Sequence, residues 1–204
     1  MNNDTTTIDW RPPAAPADAL FGSGATRAER ALALGAGAIG TAIVISAAIM
    51  TVGDRWWVIH YVLVAIVALD VLGGVVANAL SSAKRDHHGP PADPSSRSGR
   101  ISRSPALFTA LHVQPIIVAV VVPPHSWWWG VLWYAVMLLA VVVVVRVPQY
   151  LARPASYAIA MLVVVSLPFV PAPEGLAWLP LALVLKLVMA HAVREEPYRP
   201  AVQA

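Results

Sequence analysis

The chain has 204 residues, of which 58% are hydrophobic and only 12% are charged, and its mean hydropathy is +0.66. Soluble domains carry roughly 25% charged residues, so this composition excludes an ordinary soluble protein and predicts a polytopic membrane protein. The formal net charge is +3, and the chain has no cysteine. The lack of cysteine excludes a disulfide framework, a thiolate metal site, an iron–sulfur cluster and a cysteine nucleophile.

The chain begins with a polar segment and continues with six apolar runs. Residues 1–30 are rich in proline and alanine and lack an apolar core followed by a cleavage site, so we expect a retained, disordered cytoplasmic tail. A run of about 20 residues crosses the hydrocarbon core at 1.5 Å per residue. The runs predict an all-α bundle of six membrane-spanning helices over Ala31–Met50, Trp56–Leu80, Pro105–Val122, Trp127–Val147, Pro154–Val170 and Leu176–Val193.

The distribution of lysine and arginine predicts the orientation of the bundle. Twelve of these residues fall in the two tails, in segment 81–104 and in the segment between the fourth and fifth predicted spans, whereas only Arg55 lies on the opposite side. Positively charged segments are retained in the cytoplasm. We therefore expect a multi-pass protein of the cell membrane with both termini in the cytoplasm, including a C-terminal tail at 194–204.

Segment 81–104 is the only long connection between predicted spans. Its serine, proline and arginine content predicts a solvated cytoplasmic loop that helps to set the topology. Basic residues near the membrane surface attract anionic lipids by about 1 kcal/mol each. The other connections are short, so neighbouring helices should pack antiparallel.

Asp70 is the most informative residue in the sequence, because a carboxylate in the middle of a membrane-spanning helix costs about 2.5–3.5 kcal/mol to insert. At about 100° per residue, Gly74, Ala77 and Asn78 lie within roughly 80° of Asp70 on the helix. Small residues on such a face permit close packing of another helix. The face therefore predicts a functional site, although an ion pair that only fixes helix register would produce the same pattern.

Two other predicted spans carry polar residues at a similar depth. His112 and Gln114 lie near the start of the third span beside Pro115, and Lys186 lies about 12 Å from the end of the sixth. We expect a polar pocket open to the cytoplasm, with Asp70 and His112 as the catalytic proton-transfer groups. In the alternative interpretation, Lys186 extends its ammonium to the lipid head groups and His112 is a hydrogen-bonded packing residue.

Four residues are candidates for binding the substrate. Asn78 and Gln114 would orient it through hydrogen bonds, and Lys186 and Arg85 would hold an anionic head group. Weaker candidates for a metal site are His87 and His88, since imidazole suits zinc and iron, but no paired spacing such as H-E-x-x-H is present. No cofactor is predicted, and a metal is left open.

Three functions fit these residues. The first is an intramembrane enzyme or binder that uses acid/base chemistry on an amphiphilic, lipid or isoprenoid-like substrate from the cytoplasmic leaflet. Its partners would be membrane lipids and that small molecule; no nucleic acid is expected, and a homo-oligomer is left open. The second is a small proton-coupled transporter. The third is a non-catalytic membrane subunit or scaffold.

Overall fold

Long apolar runs form helices here because a backbone in lipid must satisfy its own hydrogen bonds. The computed structural model describes residues 6–11, 15–90 and 97–200, and among these the regular structure is helical apart from one short strand pair, β1 (Thr6–Ile8) with β2 (Tyr198–Pro200). The helices are α1 (Arg27–Val52), α2 (Val58–Ala79), α3 (Ser81–His88), α4 (Arg97–Ser102), α5 (Pro105–Ala110), α6 (Gln114–Val121), α7 (Trp127–Arg146), α8 (Gln149–Ser166) and α9 (Leu179–Leu183).

Four of the described helices are long and apolar enough to cross a membrane. They are Arg27–Arg55, which is α1 with a 3₁₀ turn after it, together with Val58–Ala79, Trp127–Arg146 and Gln149–Phe169. Two further apolar helices are shorter, Pro105–Val121 and Leu179–Ala192. The predicted all-helical class is thus confirmed, with four candidate membrane-spanning helices. The predicted count of six crossings is not confirmed.

The last helix, Leu179–Ala192, occupies the centre of the bundle. Its first part is α9, and it continues as a π-helix over Val184–Ala192. It packs against α2, α5, α7 and α8, and most of its side chains are buried. Protein rather than lipid therefore surrounds it, which is the environment in which departures from α-helical geometry are tolerated in membranes.

The third predicted span is not one continuous helix. It is divided into α5 and α6, with Leu111 to Val113 between them. Pro115 lies in the first turn of α6, where it has no N–H to donate and its ring would clash with the carbonyl of Leu111 in a continuous helix. His112 consequently lies in this helix break, and the prediction that placed it inside a helix is wrong.

The connection between α7 and α8 is shorter than predicted. Only Val147 and Pro148 separate them, and α8 begins five residues before the predicted Pro154, which lies inside the helix. Pro148 immediately precedes α8 with φ −52°, close to the helical value that its ring imposes. The helix ends at Ser166, and Pro168 follows within a 3₁₀ turn.

Where the composition of segment 81–104 predicts a solvated loop, its described residues include two short helices, α3 and α4. The N-terminal segment also packs on α3: Ser23 donates from its backbone N and its Oγ to Asp86 Oδ2 at 2.7 and 2.8 Å. Gly22 has φ +80°, and a Cβ there would lie 2.3 Å from the backbone carbon of Ser82.

We call this assembly of α3, residues 15–26 and residues 193–200 the terminal cap. In the cap, the described part of the N-terminal tail is folded rather than disordered. The remaining parts of the predicted tails and loop, residues 1–5, 12–14, 91–96 and 201–204, lie outside the described residues.

Candidate intramembrane site

A salt bridge joins α2 to the last helix near the middle of α2. Lys186 Nζ lies 2.8 Å from Asp70 Oδ2 and also donates to the backbone oxygen of Asp70 at 3.2 Å. The Lys186 side chain is 4% exposed, whereas that of Asp70 is 50% exposed. The ammonium is therefore enclosed in the bundle and does not extend to lipid head groups, while the carboxylate reaches the bundle surface.

Small and amide residues of α2 make room for Lys186. A Cβ at Gly74 would lie 2.5 Å from Lys186 Cε and 2.9 Å from its Nζ, so only glycine accommodates the lysine in this position. Asn78 is buried and donates from Nδ2 to the backbone oxygen of Lys186 at 3.5 Å. Asn78 thus joins α2 to the last helix.

Gln114 brings a third element to the same carboxylate. Its Nε2 donates to Asp70 Oδ2 at 3.0 Å from the first residue of α6. Within residues 6–11, 15–90 and 97–200, both hydrogen bonds to the Asp70 side chain fall on Oδ2, and Oδ1 receives none. Gln114 Oε1 is buried and likewise has no donor among the described residues.

His112 lies beside this pair without bonding to it. Its Nδ1 lies 2.6 Å from the backbone oxygen of Phe108. Because a carbonyl only accepts hydrogen bonds, Nδ1 carries a proton, and Nε2 presents a lone pair when the ring is neutral. His112 lies two residues before Gln114, which bonds to Asp70. We call Asp70, His112, Gln114 and Lys186 the intramembrane site.

Arg85 does not belong to the intramembrane site. It is buried in the terminal cap, where its guanidinium donates to the backbone oxygen of Tyr198 at 3.4 Å. The predicted role of Arg85 in holding a head group beside Asp70 is therefore not compatible with its position. The residues of the intramembrane site come from α2, from the helix break and the α6 that follows it, and from the last helix.

A second group of polar side chains, the histidine cluster, comprises His87, His88 and His191. The His191 ring is fully buried and stacks on Phe108 with 3.9 Å between ring centroids, and its centroid lies 4.5 Å from that of His87. His88 Nε2 donates to the backbone oxygen of His191 at 3.0 Å. Neither ring nitrogen of His191 has a hydrogen-bond partner among the described residues.

His191 is not among the residues predicted from the sequence, and the geometry of the last helix explains why. In an α-helix, residues five apart differ by about 140° and face different neighbours. A π-helix closes its hydrogen bonds between residues five apart, which brings Lys186 and His191 to the same side of the helix. No α-helical periodicity in the sequence could have shown this relation.

Burial governs the charge of the terminal cap. Lys84 Nζ donates to the backbone oxygens of Ala190 and Val193 at 2.5 and 2.7 Å, and burial lowers its pKa while Glu195, 3.5 Å away, opposes that shift. Burial, with the neighbouring charges of Lys84 and other cations, lowers the pKa of His87 to about 3 and that of His88 to about 4. Both imidazoles are therefore neutral near pH 7.

The two weak metal candidates, His87 and His88, lie with ring centroids 6.4 Å apart. Within the part of the chain that the structure describes, no three histidine, aspartate or glutamate side chains are arranged to hold a metal ion.

Comparisons of the chain with protein-family models, with curated proteins and with solved structures found no match. The chemistry that the intramembrane site offers is that of a carboxylate with one free oxygen, a neutral imidazole with a free lone pair, and an enclosed ammonium. These groups can accept a hydrogen bond or a proton from a molecule at the bundle surface.

Proposed function

We propose that the protein is an integral membrane protein that binds an amphiphilic, lipid or isoprenoid-like molecule at the intramembrane site and acts on its head group by acid/base chemistry. The observation that carries this proposal is the half-exposed Asp70 carboxylate with its free Oδ1. Ionisable groups inside membranes almost always face a bundle interior or cavity and mark functional pathways. An opening toward lipid is suited to a ligand that itself resides in the bilayer.

The asymmetry of the ion pair supports a binding site over a purely structural contact. A pair that served only to fix helix register would need the hydrogen bonds of both partners completed, because an ion pair in the bundle repays its desolvation only then. Here Lys186 is enclosed but Asp70 keeps one oxygen open. Asp70 would act as the base through Oδ1, and His112 would be the second proton-transfer group through Nε2. Gln114 would hold the carboxylate in place.

The proposed role of Lys186 differs from the one expected from sequence. Its charge is balanced by Asp70, and its side chain is almost completely enclosed. It therefore serves to position the carboxylate, and it is not available to bind an anionic head group.

We further propose six crossings, with both termini in the cytoplasm. Support comes from the two shorter apolar helices in addition to the four long ones, and from the twelve-to-one distribution of lysine and arginine. The antiparallel pairing of β1 with β2 brings the two ends of the chain together, as an even number of crossings requires. The last helix is short for a crossing, and its contacts with α2, α5, α7 and α8 shield it from lipid.

The test is the identity of amphiphiles that co-purify with the protein in mild detergent, measured by mass spectrometry. We expect a discrete amphiphile on the wild type that is absent from the double variant Asp70→Asn/Lys186→Met, in which no unpaired charge remains. Arg55→Met, which alters an exposed ion pair with Glu174, is the matched control and should retain the amphiphile. The same lipids on all three proteins would contradict the proposal and favour a scaffold.

A proton-coupled transporter is the second candidate, and the helix break favours it. Transporters commonly place their sites at discontinuous helices near the midplane, and the break at Leu111 to Val113 lies beside Asp70. Against it, residues 58–69, 114–122, 127–145 and 179–185 contain no Asp, Glu, Lys or Arg. Proton uptake into proteoliposomes that depends on Asp70 and on an added substrate would support transport over the enzyme or binder.

A further inference from the structure

We infer that the head group taken by the intramembrane site is uncharged and donates a hydrogen bond, as the hydroxyl of a lipid alcohol does. This inference rests on the proposed function, and it names the class of amphiphile. Two independent properties of the site lead to it: the balance of its charges, and the balance of its hydrogen-bond donors and acceptors.

The charge of the site is already balanced. The Asp70 carboxylate and the Lys186 ammonium lie 2.8 Å apart, and no side chain of the described residues adds a further charge to this pair within salt-bridge distance. Asp70 is nine residues from the end of α2, which is about 13 Å along the helix. A charged head group at this depth would have no counter-charge and would bear a large desolvation cost. A phosphate head group in particular could not reach the enclosed ammonium.

The open polar atoms of the site are acceptors. Asp70 Oδ1 receives no hydrogen bond among the described residues, and His112 Nε2 carries a lone pair because Nδ1 donates to Phe108. Gln114 must point its Nε2 toward the carboxylate, since two facing acceptors would not bond, so it presents no donor to a ligand, and its Oε1 is buried. The donors of Lys186 and Gln114 are turned inward to Asp70.

Donor and acceptor chemistry therefore selects the ligand. An acceptor left without a partner in a desolvated site costs about 1–3 kcal/mol, and a hydroxyl supplies the missing donor to Oδ1 or to the imidazole. A quinone, an ester or an ether offers only acceptors and would find no open donor here.

The surroundings of the opening suit the chain of such an alcohol. The large apolar side chains of Leu69, Val113 and Ile117 are exposed; Leu69 precedes Asp70 in α2, Val113 precedes Gln114, and Ile117 lies one turn further along α6. An alkyl or prenyl chain lying in the bilayer would contact them while its hydroxyl reaches the carboxylate.

The experiment uses four ligands that share one prenyl chain: the free alcohol, its methyl ether, its monophosphate and a prenylated quinone. Their affinities for the full-length protein in nanodiscs are measured by native mass spectrometry and by the shift of Tm. We expect the alcohol to bind at least about tenfold more tightly than the ether, a difference of about 1.4 kcal/mol. The double variant Asp70→Asn/Lys186→Met should lose this preference, and Arg55→Met should keep it.

The outcomes separate the inference from the proposed function. Preferred binding of the monophosphate or the quinone that depends on Asp70 would overturn the inference and leave the proposed function standing. Equal binding of all four ligands by wild type and double variant would show that only the chain is recognised, which also overturns the inference. Failure of all four ligands, together with no co-purifying amphiphile, would remove the proposed function itself.

Discussion

Lys186 needs its ion-pair partner more than Asp70 does, because the two side chains differ in burial. The ammonium is enclosed and has no access to solvent or head groups, whereas the carboxylate is open on one side. Loss of the carboxylate therefore leaves a buried, unpaired cation, which is among the most destabilising changes that a single substitution can cause.

We expect Asp70→Asn to lower the free energy of unfolding in detergent by about 3–5 kcal/mol, because Lys186 then has no counter-charge. Adding Lys186→Met should restore most of that loss, since a neutral amide and a thioether leave no charge to bury. Chemical unfolding of the two single variants and the double variant measures both effects, with Arg55→Met as the exposed control, which should change stability by less than about 1 kcal/mol. Wild-type stability of Asp70→Asn would show that the ion pair does not exist in the protein.

The histidines of the terminal cap should make stability depend on pH. Their pKa values in the folded state, about 3 for His87 and about 4 for His88, lie below the ordinary value of 6.5. Between about pH 6.5 and 4 the unfolded chain binds protons that the folded chain does not, so the free energy of unfolding falls as the pH is lowered through this window. Above about pH 7 both states are neutral at these positions.

We therefore expect the Tm to decrease from pH 7 to pH 4, and the double variant His87→Gln/His88→Gln to show a smaller decrease than the wild type. Thermal unfolding in detergent between pH 7 and pH 4 measures the Tm of both proteins. His125→Gln, an exposed histidine distant in sequence from the cap, is the control and should leave the slope unchanged. An unchanged slope in the double variant would contradict the burial of the two imidazoles.

At the scale of single residues, the sequence predicted that Asp70, Lys186 and Gln114 lie together. A charged side chain is so costly in lipid that its presence in an apolar span indicates polar partners nearby. The structure brings these three together, and the role of the site remains a proposal. Asn78 and Arg85 were harder to place, because a polar residue that caps or joins helices has the same sequence signature as one that binds a ligand. His191 required knowledge of helix geometry that the sequence does not contain.

At the scale of elements, the long apolar helices were predictable and the irregular ones were not. Hydrophobic length alone identifies α1, α2 and α7, because lipid leaves the backbone no alternative to a helix. The π-helix at Val184–Ala192 depends on the packing of four neighbouring helices around it, and no local pattern encodes that packing. A proline such as Pro115 interrupts the hydrogen bonds of a helix, but its position in the sequence does not give the extent of the break.

The helix break should depend on Pro115. We expect Pro115→Ala to restore a donor to the carbonyl of Leu111 and to allow α5 and α6 to join, which would draw His112 away from the Phe108 carbonyl. Amide hydrogen exchange over residues 111–115 should become slower and amphiphile binding weaker. Pro105→Ala is the matched control, since Pro105 lies in the first turn of α5, where a missing N–H costs nothing. Unchanged exchange in Pro115→Ala would show that packing, not the proline, maintains the break.

At the scale of the whole molecule, the proposed six crossings and a four-crossing alternative differ in a way that labelling resolves. If only the four long helices cross, the loops on both sides of α7 and α8 exchange sides of the membrane. The terminal strand pair fits either topology, because both have an even number of crossings.

The cysteine-free chain makes the test direct. We expect Ser126→Cys and Glu174→Cys to react with an impermeant maleimide in intact cells, and Gln149→Cys to react only after permeabilisation, because six crossings place Gln149 on the cytoplasmic side. Asp54→Cys should be labelled from outside in both topologies and serves as the control. Reversal of all three test positions with Asp54→Cys unchanged would establish four crossings.

The central position of the last helix also constrains the order in which the protein is made. Lys186 is synthesised 116 residues after Asp70, which at about 5–20 residues per second is a delay of roughly 6–23 s. During that interval α2 has been synthesised, but Asp70 has no cationic partner and the last helix is missing from the centre of the bundle. A nascent chain that stops before Leu179 therefore retains an unneutralised charge within the bilayer, whereas one that stops after Ala192 does not. Insertion of the last helix and neutralisation of that charge are thus the same event.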